Sequence, residues 1–350
     1  MGCQNDIIEE DVQSAVTSIA PVAETLRGGR VLVTGATGLI GSLLVRMLLA
    51  ANEEYGLGLQ VVAMGRSMER LREKFSSLPA DASLELFAGD VAFPLVLEGP
   101  VTHIVHGASP TSSRYFVEHP VETIVAAIDG TRNVLTLARE KETKSVVYLS
   151  SLEVYGNMGE HDAPIAEDEA GYIDVLSPRS SYSEGKRLCE TLCASFASEY
   201  DVPVKVARLS QTFGAGVDYN DGRVFAEFMR CALEGRDIVL HSQGRTTRTY
   251  CYTADAVAAI VFVLARGAMG EAYNVANEAT AVSIMDMARL VSEELSDGAS
   301  DVVVDIPENV ASYGYNPEMV VTLDCSKIRE LGWEAKTNLP TMFHRMAACF

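Results

Sequence analysis

The 350-residue sequence predicts an α/β protein with a doubly wound parallel sheet in its first part and a smaller mixed α/β domain after it. Three observations carry this expectation. Between Arg30 and Arg208, short apolar runs of strand length alternate with helix-period segments, the pattern of parallel strands joined by crossover helices. The first run passes directly through a glycine turn into an apolar helix. Successive runs also end in small or polar residues, and in such a sheet those ends gather at the carboxyl edge, where ligands bind.

Residues 1–28 read as a weakly helical, acidic extension or cap with no evident chemistry. Arg30 to Thr34 then forms a buried strand, and Gly35-Ala36-Thr37-Gly38-Leu39-Ile40-Gly41 leads into a helix from Ser42 to Ala51. Glycines here let the backbone approach a pyrophosphate, and the helix N-terminus offers it unsatisfied N–H groups. In this position, after the first strand, Gly35, Thr37, Gly38, Leu39, Ile40 and Gly41 mark a dinucleotide site. A second strand, Leu59 to Met64, ends in Gly65-Arg66-Ser67, where an acidic residue would ordinarily bind the ribose diol. Arg66 suits a 2′-phosphate, as in NADP, or a planar stack on adenine beside NAD. The third strand, Leu84 to Ala88, leads to Asp90 and Val91, and Asp90 can accept from the adenine amino group. The fourth, His103 to His106, leads to Gly107, Ala108 and Ser109, small enough for the backbone to lie against the cofactor. His103 and His106 read as strand residues, not ligands.

A helix over Val121 to Glu140 precedes the fifth strand, Ser145 to Leu149, which ends in Ser150-Ser151-Leu152-Glu153-Val154-Tyr155-Gly156. After a polar loop, a helix opens with Tyr182-Ser183-Glu184-Gly185-Lys186 and runs to about Tyr200. Tyr182 and Lys186 share a helix face. An ammonium favours the phenolate, which predicts Tyr182 as a base near neutral pH, with Ser151 holding the substrate hydroxyl that loses its proton. A sixth strand, Pro203 to Arg208, follows. Beyond it come a loop at Asn220-Asp221-Gly222-Arg223, a helix over Val224 to Glu234, a short strand over Asp237 to His241, the segment Arg245 to Thr249, and helices over Thr253 to Ala265 and Ser283 to Leu295. The predicted division is an extension at 1–28, a dinucleotide-binding domain at 29–208 and a second domain at 209–350, with 251–266 packing back on the first.

Composition narrows the classes. The chain is 48% hydrophobic and 22% charged, without the run of about 18 apolar residues a membrane helix needs, and no secretory or acylation signal is read at its start; a cytoplasmic protein is expected. Seven cysteines and six histidines show no ligand spacing, so no metal is expected, and Cys189 and Cys193 read as buried residues of one helix face. A net charge of −20 argues against nucleic acid or an anionic membrane as partner. Locally the balance reverses: Lys205 to Arg248 carries seven Lys or Arg against five Asp or Glu, which leaves room for an anionic small molecule.

With these elements in place, the chain resembles the extended short-chain dehydrogenase/reductase family, and within it the sugar-nucleotide epimerases, dehydratases and decarboxylases. The resemblance rests on Thr34-Gly35-x-x-Gly38-x-x-Gly41, Ala108-Ser109-Pro110, Ser151-x-x-Val154-Tyr155-Gly156, Tyr182-x-x-x-Lys186 and Leu331-Gly332-Trp333. It implies a Rossmann-type domain, tightly held NAD with NADP as the alternative, a nucleoside-diphosphate sugar substrate, and a homodimer through the helices near 121–140 and 181–200. The UDP-glucuronate decarboxylases are most similar, through Pro178 to Arg187, Asn220 to Val224 and Thr247-Arg248. That resemblance implies reaction roles for Glu153 and Arg248 beside Ser151, Tyr182 and Lys186, and substrate-binding positions at Ser112, Gln211, Arg223, Val224 and Arg248. Leu152 departs from the pattern: dehydratases carry Asp there, an acid that leucine cannot replace, and decarboxylases usually carry Ser. Gln211 replaces a frequent Asn. A 4-epimerase, which needs only serine, tyrosine and lysine, is the alternative activity; a 4,6-dehydratase and a non-catalytic nucleotide-sugar sensor rank below it.

Overall fold

A computed structural model describes residues 2–78, 83–110, 113–159, 161, 163–306 and 319–350. The chain opens with helix α1 (Gly2–Ile19), then β1 (Arg30–Thr34), α2 (Leu39–Tyr55), β2 (Gln60–Gly65), α3 (Met68–Lys74), β3 (Leu84–Ala88) and β4 (His103–His106). It continues through α4 (Ser113–Glu118), α5 (Pro120–Glu140), β5 (Ser145–Ser151), α6 (Ser181–Tyr200), β6 (Val204–Leu209) and β7 (Gln211–Phe213). The remainder comprises α7 (Val224–Leu233), β8 (Ile238–Leu240), β9 (Thr247–Tyr252), α8 (Thr253–Arg266), β10 (Ala272–Val275), β11 (Asn277–Ser283), α9 (Ile284–Leu295), β12 (Val302–Val304), β13 (Val320–Val321), α10 (Ser326–Glu330) and α11 (Leu339–Ala347).

Seven parallel strands form the main sheet in the order β3-β2-β1-β4-β5-β6-β10. Each of the six anticipated strands is present within a residue or two of its expected bounds. Strands β1, β2, β4 and β5 are buried along almost their whole length, as expected where helices cover both faces of a parallel sheet. Chain order reverses between β1 and β4, which pair with Thr34 opposite His106, so the topological switch point lies where the glycine turn and Gly107 leave the sheet. The seventh strand, β10, comes from far down the chain and docks beside β6 with Val275 opposite Leu209.

Two further sheets stand beyond β6. In one, β9 pairs with β7, β11 and β13; in the other, β8 pairs with β12. Helix α8 is buried at every position from Thr253 to Leu264 and packs on β5 and β6. The N-terminal extension is a core element: α1 packs on α2 and α8, burying Val12, Ala15, Val16 and Ile19 at helical spacing. Its buried Asp11 accepts from Tyr252 Oη at 2.7 Å and pairs with Arg345 Nη2 at 2.8 Å, which ties the two ends of the chain together.

Candidate active site

The glycine turn is tight for a physical reason. Gly35 has φ +73°, and a Cβ there would lie 2.9 Å from Ala108 N and Gly107 O; a Cβ on Gly41 would collide with Gly35 O. Helix α2 begins at Leu39 with Gly38 as its N-cap and no side-chain cap bond among the described residues, so N–H groups at the start of the helix are left for another acceptor. From β4, Gly107 and Ala108 donate to Thr34 Oγ1, each at 3.2 Å, and that hydroxyl also lies 2.8 Å from His106 Nδ1. The strand ends of β1 and β4 are thereby locked together. Ser109 is half-buried next to them, as are Thr37, Leu39, Ile40, Asp90 and Val91, whereas Arg66 is exposed at the end of β2. Asp90 keeps one oxygen for Ala92 N at 3.0 Å. Close backbone approach at Gly35 and Gly41, with the helix start and Gly107-Ala108-Ser109 across from it, fits a dinucleotide pyrophosphate.

Beside this crevice a cleft of about 400 Å³ is lined by Leu152, Glu153, Tyr182 and Arg248 together with Phe116 and Met319. Strand β5 delivers Ser151, whose Oγ accepts from Glu153 N at 3.3 Å and bonds the Tyr182 side chain. Helix α6 delivers Tyr182 and, one turn on, Lys186. Phe116 stacks on the Tyr182 ring, with centroids 4.3 Å apart and planes 9° from parallel.

The phenol lies opposite in direction to the expected depression. Burial pushes Tyr182 up to about 12, with Glu153 adding to the rise and the Ser151 hydrogen bond and Arg223 opposing it. Lys186 does not reverse this because its ammonium is turned elsewhere. It donates to Leu149 O at 2.7 Å and lies 4.6 Å from the Tyr148 ring centroid, against 5.8 Å for Tyr182. Burial pulls that ammonium down to about 8, opposed by neighbours that include Glu190.

Arg248 is held loosely. It comes from β9, only 14% of its side chain is exposed, and its Nη1 stands 3.6 Å from Glu153 Oε1. Its Nη2 points at Met319 Sδ at 3.7 Å, and its buried Nε has no hydrogen-bond partner among the described residues. Arg223, at the start of α7, is paired with Asp221 at 2.6 Å and lies over the Phe225 ring. Val224 is 37% exposed and Gln211 is half-buried on β7. Ser112 lies outside the described residues.

Sequence reasoning missed Phe116, Met319 and the polar floor below the cleft. In that floor Glu190 accepts from Ser150 Oγ at 2.5 Å and pairs with Arg208 at 2.7 Å, while Arg208 also donates to Tyr155 Oη and Glu167 O. A signal for Glu190 existed: it stands one helical turn beyond Lys186. Phe116 and Met319 carry none, since each meets the cleft only through tertiary packing.

A glycine turn at the switch point and a serine, tyrosine and lysine at the neighbouring strand end define an enzyme that works with a bound dinucleotide. The chain belongs to the NAD dependent epimerase/dehydratase family, which its residues 31–276 match; it is an NAD-dependent enzyme of the extended short-chain dehydrogenase/reductase type. It is 31% identical to UDP-glucuronic acid decarboxylase 6 of Arabidopsis thaliana, over 89% of this chain and 85% of that one. Among solved structures it is similar to an epimerase from Methanothermobacter thermautotrophicus, with TM-score 0.78, 22% identity and 95% of each chain covered. It is also similar to the dTDP-glucose 4,6-dehydratase DesIV of Streptomyces venezuelae with NAD bound, at TM-score 0.74 and 22% identity, covering 91% of this chain and 96% of that one. These three proteins are named for three different reactions, so the shared fold does not select among them.

Proposed function

We propose that the protein decarboxylates a nucleoside-diphosphate sugar acid, UDP-glucuronate being the best candidate, through a 4-keto intermediate. The observation that carries this reading is Arg248: a mostly buried guanidinium whose Nε has no partner among the described residues, lining the same cleft as Tyr182. A buried cation with spare donors suits a ligand carboxylate.

In this reading Gly35, Thr37, Gly38, Leu39, Ile40 and Gly41 hold the pyrophosphate of NAD. Arg66, Asp90 and Val91 flank its adenosine, and Gly107, Ala108, Ser109, Tyr182 and Lys186 lie along the rest. When bound, NAD supplies an acceptor and then a donor of hydride at sugar C4, so the net redox change is nil. Ser151 orients the C4 hydroxyl and Tyr182 takes its proton. A phenol raised to about 12 needs help to ionise, and Lys186 supplies it by swinging its ammonium from Leu149 O toward the phenolate. Arg248 orients the C6 carboxylate, which is β to the new ketone; carbon dioxide leaves, its bonding electrons pass into the enolate, and a proton guided by Glu153 is added at C5. Arg223, Val224, Gln211 and Ser112 hold the nucleotide and sugar. The 209–350 segment serves mainly as the substrate side. Exposed apolar residues on α5 and α6, Val121, Val125 and Leu188, support a homodimer through those helices.

A nucleotide-sugar 4-epimerase is the second reading, favoured by Leu152, which is 3% exposed and offers no polar group to a C6 substituent. Incubation with UDP-glucuronate and UDP-glucose separates the two: loss of carbon dioxide from the acid supports decarboxylation, and an unchanged mass with inverted C4 supports epimerisation. If UDP-glucuronate is returned intact, the leading reading fails. Tyr182→Phe should lower turnover by about 100-fold or more, read as lost transient NADH absorbance.

A further inference from the structure

Helix α4 reaches the interior through one side chain. Of Tyr115, Phe116, Val117 and Glu118, only Phe116 is buried, at 7% exposure. It nevertheless belongs to neither of the two apolar cores formed by the described residues. Its place is the wall of the cleft, parallel to the Tyr182 ring, so packing in a core does not account for it.

Phe116 is held from two sides. Ser181, itself 4% exposed, donates through Oγ to Phe116 O at 3.3 Å, and His119, the N-cap of α5, donates its N–H to Tyr115 O at 2.8 Å. Helices α5 and α6 pack on each other, so one pair of helices carries both Phe116 and Tyr182. The bond to Ser151 fixes where the phenol oxygen points but not the plane of the ring, because χ2 of a tyrosine is a broad torsion. A parallel ring at 4.3 Å fixes that plane.

Phe116 brings no charge of its own. The polar groups that act on the phenol come from elsewhere: Ser151 and Tyr148 on β5, Glu153 after it, Lys186 on α6 and Arg223 at the start of α7. Asp174, Arg179 and Arg248 line the same cleft. Beside them an apolar ring contributes exclusion of water from one face of the phenol, which disfavours the phenolate.

We propose that Phe116 is a positioning residue for the reaction: it fixes the plane of the Tyr182 ring against Ser151 and keeps water from the covered face, so that the phenol meets the substrate hydroxyl in one orientation. The inference rests on the reading of Tyr182 as the base and not on which sugar reaction follows.

Two measurements on the full chain test it. Steady-state turnover is read with UDP-glucuronate and UDP-glucose. Tyrosinate absorbance is followed from about pH 8 to about pH 11; subtracting the curve of the matching Tyr182→Phe protein isolates this phenol, with circular dichroism to show that the fold is kept. Phe116→Leu stays apolar but loses the plane, Phe116→Met is a second non-planar variant, and Phe116→Tyr keeps the plane. Both non-planar variants should lower kcat by about tenfold or more, with KM changed by less than about twofold. In both, Tyr182 should titrate at lower pH than in the wild type, and Phe116→Tyr should restore kcat and titration together. The proposal is overturned if the non-planar variants keep the wild-type kcat and titration, or if they raise KM alone, which makes Phe116 a substrate contact. If the wild type turns over neither sugar nucleotide, or Tyr182→Phe is as active as the wild type, it is the reading of Tyr182 as the base that fails. The titration then decides this inference, and an unshifted phenol overturns it.

Discussion

Arg208 and Arg248 show how differently one side chain can be employed. Arg208, on β6 opposite Ser150 of β5, is saturated: it forks onto Glu190 and donates to Tyr155 Oη and Glu167 O. Arg248, on the wall of the cleft, is as little exposed but has one carboxylate at 3.6 Å, a thioether and an Nε without a partner among the described residues. A buried charge is tolerable only when its donors are satisfied. The first arginine therefore meets that condition within the chain; the second does not among the described residues, and under the proposed function a ligand carboxylate would meet it.

The contrast breaks most visibly at Arg208. Arg208→Met strands Glu190 in a mostly buried site, and chemical denaturation should show a loss of about 3–5 kcal/mol; a loss under about 1 kcal/mol would mean that the floor is not a structural ion pair. The buried strand β4 of the main sheet also carries two uncharged histidines. Burial holds His106 down at about 3 and His103 at about 4, whereas in the unfolded chain both titrate near 6.5. The unfolded state then binds more protons below pH 6.5, so stability should fall steadily as pH drops from 6.5 toward 4, with the melting temperature as the readout. A flat melting temperature across that window would show that neither histidine is buried as a neutral group. Arg248→Gln is the smallest perturbation to the fold: Glu153 is partly exposed, and stability should change by less than about 1 kcal/mol. Activity on a sugar acid should nevertheless fall by about 100-fold or more, mostly as weaker binding of the acid, with a neutral sugar nucleotide affected far less. An equal loss on acid and neutral substrates would remove the carboxylate role given to Arg248.

The same division separates what could be read from the residues alone. The glycine turn, the six strands of the dinucleotide half and the Tyr182–Lys186 spacing were legible because each is local: a run of apolar residues, a turn chemistry, or one turn of helix. The downstream sheets were not. Strand β9 takes partners from 211–213, 277–283 and 320–321, and pieces of two to seven residues carry no periodicity that names their neighbours. The segment 1–28 read only as a weakly helical, acidic extension or cap, yet α1 packs against α2 and α8 and is tied by Asp11 to Arg345.

By itself, the sequence determined the class of this protein: its alternation of strands and helices, the switch-point glycine turn, and the serine, tyrosine and lysine that share one strand end and one helix face. Only the tertiary structure decided how those groups are poised. Burial against Phe116 and the nearby Glu153 raise the phenol that spacing alone predicts to be depressed, because a pKa follows the whole surrounding field and not the nearest cation in the sequence. Tertiary structure also left Arg248 Nε without a hydrogen-bond partner among the described residues, since charge in excess of its partners is a property of packing that no stretch of chain contains.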